Sequence, residues 1–242
     1  MATRSERAEP PPTPLPRANP LLLGHAPAEA QVARWASEGR LGQALMICGP
    51  RGIGKATWAF RIARTLLRQK VPANEQAAGQ GALPSLLPAE PAGAGAGTPP
   101  APLADDPGDQ TFRWVASAAH PDLLTVERRF DEKRGRQLGE IVVDDVRRIA
   151  AFLGSSPALG GWRAVIVDAA DEMNRNAANA LLKILEEPGN NSLLLLVSHQ
   201  PSLLPPTVRS RCRRIVLRPL DDAVVEDLLV RYRPDIGPDD RR

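Results

Sequence analysis

Short apolar segments alternate with longer amphipathic segments through most of the chain. Four largely apolar segments predict strands: 44–48, 123–126, 164–167 and 193–197, of which the last two are apolar throughout and therefore buried on both faces. The residues around them carry hydrophobic side chains at helical spacing, which predicts helices at 27–38, 54–68 and 143–153. Strands that are buried on both faces and alternate with helices indicate an α/β fold, in which helices flank a parallel sheet.

The composition of the chain changes at several boundaries. Residues 1–19 form a Pro-rich tail that we expect to be disordered, and residues 20–218 form the α/β domain. Residues 71–111 interrupt this domain with a Pro/Ala/Gly-rich insertion that has little to bury, so we expect disorder there as well. The segment 219–242 has helical spacing after Asp221 and predicts the start of a second, helical domain that the chain does not complete.

Composition excludes several classes of protein. With 242 residues and 43% hydrophobic content, the chain can bury the core of one domain. Its net charge of +3 is too small for a dedicated DNA-binding domain. The two cysteines, Cys48 and Cys212, are too few for a disulfide framework and fit a reducing compartment. The sequence has neither a membrane-length apolar run nor a secretory signal, so we expect a cytoplasmic protein without membrane contact.

A glycine-rich segment joins the first predicted strand to the helix at 54–68. Its residues are Gly49, Pro50, Arg51, Gly52, Ile53, Gly54 and Lys55. Glycines allow backbone N–H groups to surround a phosphate, and the helix N-terminus adds a partial positive charge. The lysine would reach the β- and γ-phosphates. The strand–loop–helix context favours a nucleotide-binding loop over a tight turn without a ligand.

The residues that follow this loop weaken the case for metal binding. The position after the lysine normally carries a Ser or Thr hydroxyl that ligates Mg²⁺, and here it is Ala56. Thr57 stands one position late, about 100° further round the helix. We therefore expect at most weak binding of ATP or ADP, with no metal site.

The end of the third predicted strand shows a second loss. Asp168 follows apolar residues and suits the outer shell of a Mg²⁺ site. The next residue, where a P-loop ATPase would carry a carboxylate that activates water, is Ala169. Asp171 and Glu172 are close in the chain but do not occupy this position, and we interpret them as solvated loop carboxylates. Both losses predict a nucleotide-binding fold that does not hydrolyse ATP.

Five motifs together resemble one protein family over about residues 21–219: GPRGIGK, HPDLLTVE, IVVDDVRRI, NRNAANALLKILEEPG and PPTVRSRC. The chain resembles the delta-prime subunits of bacterial DNA polymerase III, the non-motor AAA+ members of the sliding-clamp loader. The resemblance implies a RecA-like AAA+ domain, a small helical lid and a C-terminal collar. The 242 residues contain no collar, and the lid stops at Arg242.

The resemblance also implies partners and one functional residue. The partners would be the motor (gamma/tau) and delta subunits and, through the complex, the sliding clamp and primer–template DNA. Arg211, in the tripeptide Ser210-Arg211-Cys212, would act in trans on the ATP of a neighbouring motor subunit. Members of the family often carry a four-cysteine zinc module after the first helix of the P-loop domain. The insertion here has no cysteine, so we expect no zinc.

Several further residues have both a functional and a structural interpretation. Ser198 follows an apolar strand where AAA+ proteins carry a γ-phosphate sensor, and a buried or capping hydroxyl fits the position equally well. His120 precedes Pro121, which favours a structural turn over a catalytic role. Lys183 and Glu187 have the spacing of an ion pair on a helix that Asn174 can cap.

The basic cluster around Arg211 is expected to be a solvated edge, apart from Arg211 itself. Its other members are Arg209, Arg213 and Arg214. The Pro205-Pro206 pair and Thr207 would start a short helix that presents Arg211, and Cys212 would be a small buried packing residue.

Three functions compete at this point. The first is a non-motor clamp-loader subunit, a component of the DNA polymerase III holoenzyme with no ATPase or polymerase activity of its own. The second is an ATP-hydrolysing motor subunit of the same machine, which would need a hydroxyl at Ala56 and a carboxylate at Ala169. The third is an unrelated P-loop kinase, which would not explain NALLKILEEP or the tripeptide around Arg211.

Overall fold

The computed structural model describes residues 13–38, 40–69, 105–131 and 135–233. Seven helices lie in these ranges: α1 (Ala26–Ser37), α2 (Lys55–Leu67), α3 (Gln110–Ala116), α4 (Val143–Gly154), α5 (Arg175–Glu186), α6 (Pro206–Arg209) and α7 (Asp222–Tyr232). The strands are β1 (Ala44–Cys48), β2 (Leu123–Glu127), β3 (Phe130–Asp131), β4 (Arg136–Gln137), β5 (Arg163–Asp168), β6 (Ser192–Ser198) and β7 (Arg213–Val216). Among the described residues, no helix is long and apolar enough to cross a membrane.

The main sheet has five parallel strands in the order β2-β5-β6-β1-β7. In its register, Cys48 lies between Ser198 and Val216, and Asp168 lies between Glu127 and Val197. The carboxyl ends of β1, β5 and β6 therefore meet at one edge, where the loop after β1 begins. This arrangement confirms the expected α/β class with a parallel sheet.

Helices cover both faces of the sheet, as strands that are buried on both faces require. One apolar cluster joins the sheet to α1 and α2 and includes Trp58, Leu66 and Ile166. The other joins it to α4 and α5 and includes Ile149 and Leu181. The fully apolar strands predicted from the sequence thus form the middle layer.

Local hydrogen bonds set the start of two helices. The Asn174 side chain accepts the N–H of Ala177 at 2.9 Å and caps α5, as the sequence predicts. The Asp109 side chain accepts the N–H of Phe112 at 3.0 Å and caps α3, a helix that the sequence interpretation missed.

The expectation of disorder throughout 1–19 is wrong for residues 13–19. A 3₁₀ turn at Pro16–Ala18 packs beside α2 and α3. The buried guanidinium of Arg64 donates to the carbonyl of Arg17 at 2.9 Å and to that of Asn19 at 3.3 Å. These carbonyls are ordered because they satisfy a charge inside the protein. Residues 1–12 lie outside the described part of the chain.

The expectation of disorder through residue 111 is likewise wrong for residues 105–111. The Asp105 side chain is 1% exposed and forms an ion pair with Arg64, whose side chain is 0% exposed. Asp109 accepts a hydrogen bond from Arg68 at 3.0 Å, in addition to capping α3. The carboxylates of Asp105 and Asp109 therefore hold this part of the chain against α2. The remainder of the predicted insertion, 71–104, lies outside the described residues.

Helix α7 begins where the sequence predicts, although no hydrogen bond from the Asp221 side chain caps it. Its last residue, Tyr232, donates a hydrogen bond from its hydroxyl to the Asn19 side chain at 3.0 Å. Residues 234–242 lie outside the described part of the chain. This hydrogen bond joins the predicted lid to the N-terminal segment.

Candidate functional site

The glycine-rich loop lies at the carboxyl edge of the sheet, between β1 and α2. Gly49 has φ +146°, and a Cβ there would lie 2.7 Å from the carbonyl oxygen of Leu217. Gly54 has φ +94° and directly precedes α2. His25 fixes the loop from the opposite side, because its Nε2 donates to the Ile53 carbonyl at 2.6 Å. The loop has the backbone form that a phosphate cradle requires.

A cavity of about 480 Å³ opens beside this loop. Seven of the predicted site residues line it: Gly52, Ile53, Gly54, Lys55, Ala56, Thr57 and Asp168. Four other predicted nucleotide-binding residues are not among its lining residues: Gly49, Pro50, Arg51 and Ser198. The structure therefore brings the second half of the loop together with the end of β5.

Sequence reasoning missed the apolar wall of this cavity. The wall comes from the N-terminal segment and from α7 and the residues before it: Leu22, Leu23, Leu220, Leu228 and Tyr232. His199, after β6, also lines the cavity. These residues are far from the loop in the chain and follow no local motif.

The cavity holds an opposed pair of charges. Lys55 is buried and its Nζ donates to the carbonyl of Pro50 within the loop. Burial lowers the pKa of Lys55, against the attraction of Asp168 and Asp171. Burial raises the pKa of Asp168 to about 6, helped by Glu127 and Glu172 and opposed by Lys55. With this pKa the Asp168 carboxyl group is mostly ionised at neutral pH, so it opposes the charge of Lys55.

The cavity fits the phosphates of a nucleotide better than it fits a bound Mg²⁺. Backbone N–H groups after Gly52 and the Lys55 ammonium suit phosphate oxygens. Ala56 offers only a methyl group to the cavity at the position of the usual hydroxyl ligand. Within the described ranges, no group of three or more His, Cys, Asp or Glu side chains could hold a metal ion.

Asp171 and Glu172 are not solvated loop carboxylates, and that interpretation was wrong. Asp171 accepts backbone N–H groups from His199 at 2.8 Å and Gln200 at 3.1 Å. Burial acts to raise its pKa, but these backbone hydrogen bonds outweigh burial and lower it. Ser198 is itself buried, and its Oγ has no hydrogen-bond partner among the described residues.

Glu172 connects the phosphate loop to the end of β2. Its carboxylate pairs with Arg51 at 2.6 Å and with Arg128 at 2.7 Å, and its side chain is only 16% exposed. The Arg51 side chain therefore points toward Glu172, and Arg51 is absent from the cavity lining. Because two arginines pair with the Glu172 carboxylate, this charged side chain can remain mostly buried in a loop.

Arg211 lies in a second region of the molecule, two residues after the end of α6. The helix starts at Pro206, as the sequence predicts, and the Ser210 hydroxyl donates to the Thr207 carbonyl at 3.1 Å. The Arg211 guanidinium donates through Nη1 to the same carbonyl at 3.0 Å and pairs through Nη2 with Glu186 at 2.7 Å. Its side chain is 38% exposed and does not line the chain's own cavity.

Comparisons with known proteins identify the family. A family model described as "DNA polymerase III, delta subunit" matches residues 105–221. The DNA polymerase III subunit delta' of Pseudomonas aeruginosa is 37% identical over 185 residues, which cover 75% of this chain and 46% of that protein. The chain belongs to the delta-prime family of DNA polymerase III.

Two further relatives place this delta-prime family member among related subunits. The Escherichia coli subunit delta' is 40% identical over 105 residues, or 43% of this chain and 30% of that protein. The E. coli subunit tau is 25% identical over 200 residues, or 83% of this chain and 25% of that protein. The chain thus spans less than half the length of each of these relatives.

The turn that begins the delta-prime motif HPDLLTVE is structural. His120 is buried, and its Nδ1 accepts the backbone N–H of Asp122 at 3.2 Å. The Asp122 carboxylate in turn accepts the N–H groups of Ala158 at 2.6 Å and Leu159 at 2.9 Å. Burial lowers the pKa of His120, so the ring is neutral at physiological pH.

Two of the three basic residues around Arg211 are exposed as expected, Arg213 and Arg214, whereas Arg209 is partly buried. Arg213 lies over the ring of Trp35, with its guanidinium carbon 4.3 Å from the ring centroid. Cys212 is half-buried against the core rather than fully buried, and burial raises the pKa of its thiol to about 12.

The ion pair predicted on α5 is replaced by another. Lys183 and Glu187 are both exposed, and the salt bridges of the described residues do not include this pair. Glu186, the last residue of α5, pairs with Arg211 instead. The NALLKILEEP motif therefore contacts the Ser-Arg-Cys motif directly in this delta-prime family member.

Proposed function

We propose that this chain is a non-motor subunit of the DNA polymerase III clamp loader. In this role it helps to load the sliding clamp onto primed DNA and supplies Arg211 to the ATP site of a neighbouring motor subunit. The observation that carries the proposal is the position of Arg211. Its guanidinium is partly exposed after α6 and lies outside the cavity of its own subunit, so a phosphate on another subunit is the ligand it suits.

The chain's own loop supports the non-motor role. Ala56 and Ala169 replace the hydroxyl that ligates Mg²⁺ and the carboxylate that orients water. Lys55 donates to the carbonyl of Pro50, a contact that an incoming phosphate must displace. A subunit with these features can hold a nucleotide weakly and has no means of activating water for hydrolysis.

The cofactor we propose is ATP or ADP, bound weakly and without zinc. Gly52, Gly54 and Lys55 would hold the phosphates, and the apolar wall at Leu22 and Leu220 would contact the base. Ala56 would leave a metal ion without its usual hydroxyl ligand. The nucleotide would therefore have a structural role in this subunit.

The partners we propose follow from the family. Its relatives include delta' and tau subunits of DNA polymerase III, which supports contacts with the motor (gamma/tau) and delta subunits. The sliding clamp and primer–template DNA would be reached through the assembled complex. The modest net charge of +3 fits a subunit that does not bind DNA by itself.

The chemistry of arginine explains the role in trans. A guanidinium stays charged at all physiological pH values and presents a planar set of N–H donors to phosphate oxygens. In the transition state the negative charge is spread over the oxygens of the transferred γ-phosphoryl group, and a correctly placed arginine stabilises that charge. Arginine fingers of this kind accelerate phosphoryl transfer by about 10³–10⁵.

The test replaces Arg211 with alanine in a reconstituted clamp loader. Arg211→Ala should leave assembly intact but lower ATP hydrolysis that is stimulated by the clamp and primed DNA. The loss will be smaller than the full effect of a finger, since other motor sites keep their own arginines. Arg214→Ala, an exposed arginine two residues into β7, is the matched control and should change little. Unchanged hydrolysis in Arg211→Ala would overturn the proposal.

A motor subunit of the same machine is the second candidate. The similarity to the E. coli tau subunit over 83% of this chain, together with the intact glycines and Lys55, favours it. Ala56 and Ala169 argue against it, because a motor needs both metal positioning and an oriented water. An ATPase measurement on the purified chain separates the two candidates.

A further inference from the structure

The contact between Glu186 and Arg211 joins two segments that the chain separates widely. Glu186 is the last residue of α5, and Arg211 follows α6. The Glu186 Oε1 lies 2.7 Å from Arg211 Nη2, while Nη1 donates to the Thr207 carbonyl at 3.0 Å. The two terminal nitrogens of the guanidinium are thus held by two different acceptors.

This contact contributes little to the stability of the fold. The Glu186 side chain is 52% exposed and that of Arg211 is 38% exposed, and ion pairs with this much solvent add little to folding free energy. The contact does restrict the direction of the guanidinium, since a long arginine side chain is otherwise free to occupy many rotamers. Its effect is therefore on orientation.

The held guanidinium still has donors for a ligand. A guanidinium carries five N–H groups, and the contacts with Glu186 and Thr207 use one on each terminal nitrogen. The second N–H of each terminal nitrogen is left for an oxygen that approaches from solvent. A phosphate on a neighbouring subunit can accept these hydrogen bonds without breaking the contact with Glu186.

We propose that Glu186 is a positioning residue for Arg211. It holds the guanidinium in the direction in which it meets the neighbour's γ-phosphate, so that less side-chain freedom is lost when the subunits come together. This inference rests on the proposed role of Arg211 in trans. Glu187, the next residue, is exposed and makes no such ion pair within the described residues, so it is the natural control.

The contact itself is tested on the isolated chain by its reaction with phenylglyoxal, followed by peptide mass spectrometry. Phenylglyoxal reacts with the terminal nitrogens of a guanidinium, and in Arg211 the contacts with Glu186 and Thr207 hold both of them. Glu186→Ala should speed modification of Arg211 by about two- to fivefold, the factor that corresponds to up to about 1 kcal/mol for an exposed pair. Arg214 in the same sample and the Glu187→Ala variant should react at the original rates. An unchanged rate at Arg211 would overturn the inference.

The role is tested in the assembled clamp loader. Glu186→Ala should lower kcat for stimulated ATP hydrolysis by about two- to fivefold and leave KM for ATP and assembly unchanged. Glu186→Gln retains an oxygen acceptor and should recover part of the rate. In an Arg211→Ala background, Glu186→Ala should have no further effect, which a merely structural role would not explain.

The outcomes separate this inference from the proposed function. If Arg211→Ala slows hydrolysis and Glu186→Ala does not, the positioning role is wrong and the role of Arg211 stands. If Arg211→Ala has no effect, the proposed function fails first, whatever phenylglyoxal shows. Faster hydrolysis in Glu186→Ala would mean that the carboxylate competes with the phosphate, which also overturns the positioning role.

Discussion

The buried ion pair between Arg64 and Asp105 allows a test of whether the ordered domain resumes at Asp105. Asp105→Ala would leave the Arg64 guanidinium, 0% exposed, with the carbonyls of Arg17 and Asn19 and the ring of Phe112 as its neighbours. Removing one partner of a buried pair destabilises a protein by about 3–5 kcal/mol. Because those carbonyls remain, we expect the lower end, about 3 kcal/mol.

The assay is urea unfolding followed by circular dichroism, with a thermal melt as a second measurement. For a chain of this length, 3 kcal/mol lowers Tm by roughly 6–12 °C. Asp106→Ala is the control, since Asp106 is exposed and accepts only the backbone N–H of Gly108 at 2.8 Å. It should change the free energy of unfolding by less than about 1 kcal/mol.

Two deletions extend the same test to the insertion. Loop length affects stability only weakly, so removing residues 77–102 should leave Tm nearly unchanged. Removing 77–107 also takes away Asp105 and should destabilise the chain about as much as Asp105→Ala. If Asp105→Ala alters the free energy of unfolding by under about 1 kcal/mol, the ion pair does not fix the chain to α2 and the reasoning is refuted.

Two further predictions concern the cavity. The purified chain should hydrolyse ATP at no more than the background rate, because it has neither the hydroxyl nor the carboxylate that hydrolysis needs; turnover that Lys55→Ala abolishes would contradict this and favour the motor subunit. The raised pKa of Asp168, about 6, means that its neutral form stabilises the fold below pH 4 and that this stability is lost as the pH rises through 6. Asp168→Asn should therefore raise the free energy of unfolding, measured with urea, by about 1–2 kcal/mol at pH 8 and leave it unchanged at pH 4. Equal gains at both pH values would show that the substitution acts through packing instead.

Local physics accounts for what could be predicted from the residues. The apolar strands were predicted correctly because a parallel sheet that is covered on both faces needs apolar side chains along the whole length of its strands. The glycines of the phosphate loop and the cap at Asn174 were found because backbone conformation and hydrogen bonds within a few residues determine them. Strand β7 was missed, since Arg213 and Arg214 begin it and only Ile215 is buried.

Contacts between distant segments could not be predicted. Asp105 and Asp109 look like part of a Pro/Ala/Gly-rich insertion, and only α2 shows that both carboxylates have arginine partners there. Asp171 and Glu172 look solvated, and only the meeting of β5, β6 and the phosphate loop supplies their donors. In each case the deciding partner lies more than 25 residues away in the chain.

The sequence by itself therefore determined the class of fold, the phosphate loop and its missing hydroxyl and carboxylate, and the family that the motifs carry. Periodicity and short motifs express these features within a few residues of one another. Only the tertiary structure decided which charges are paired, which walls enclose the cavity, and that Glu186 holds Arg211. Those properties depend on the order in which strands and helices pack, which brings together side chains that no local pattern relates.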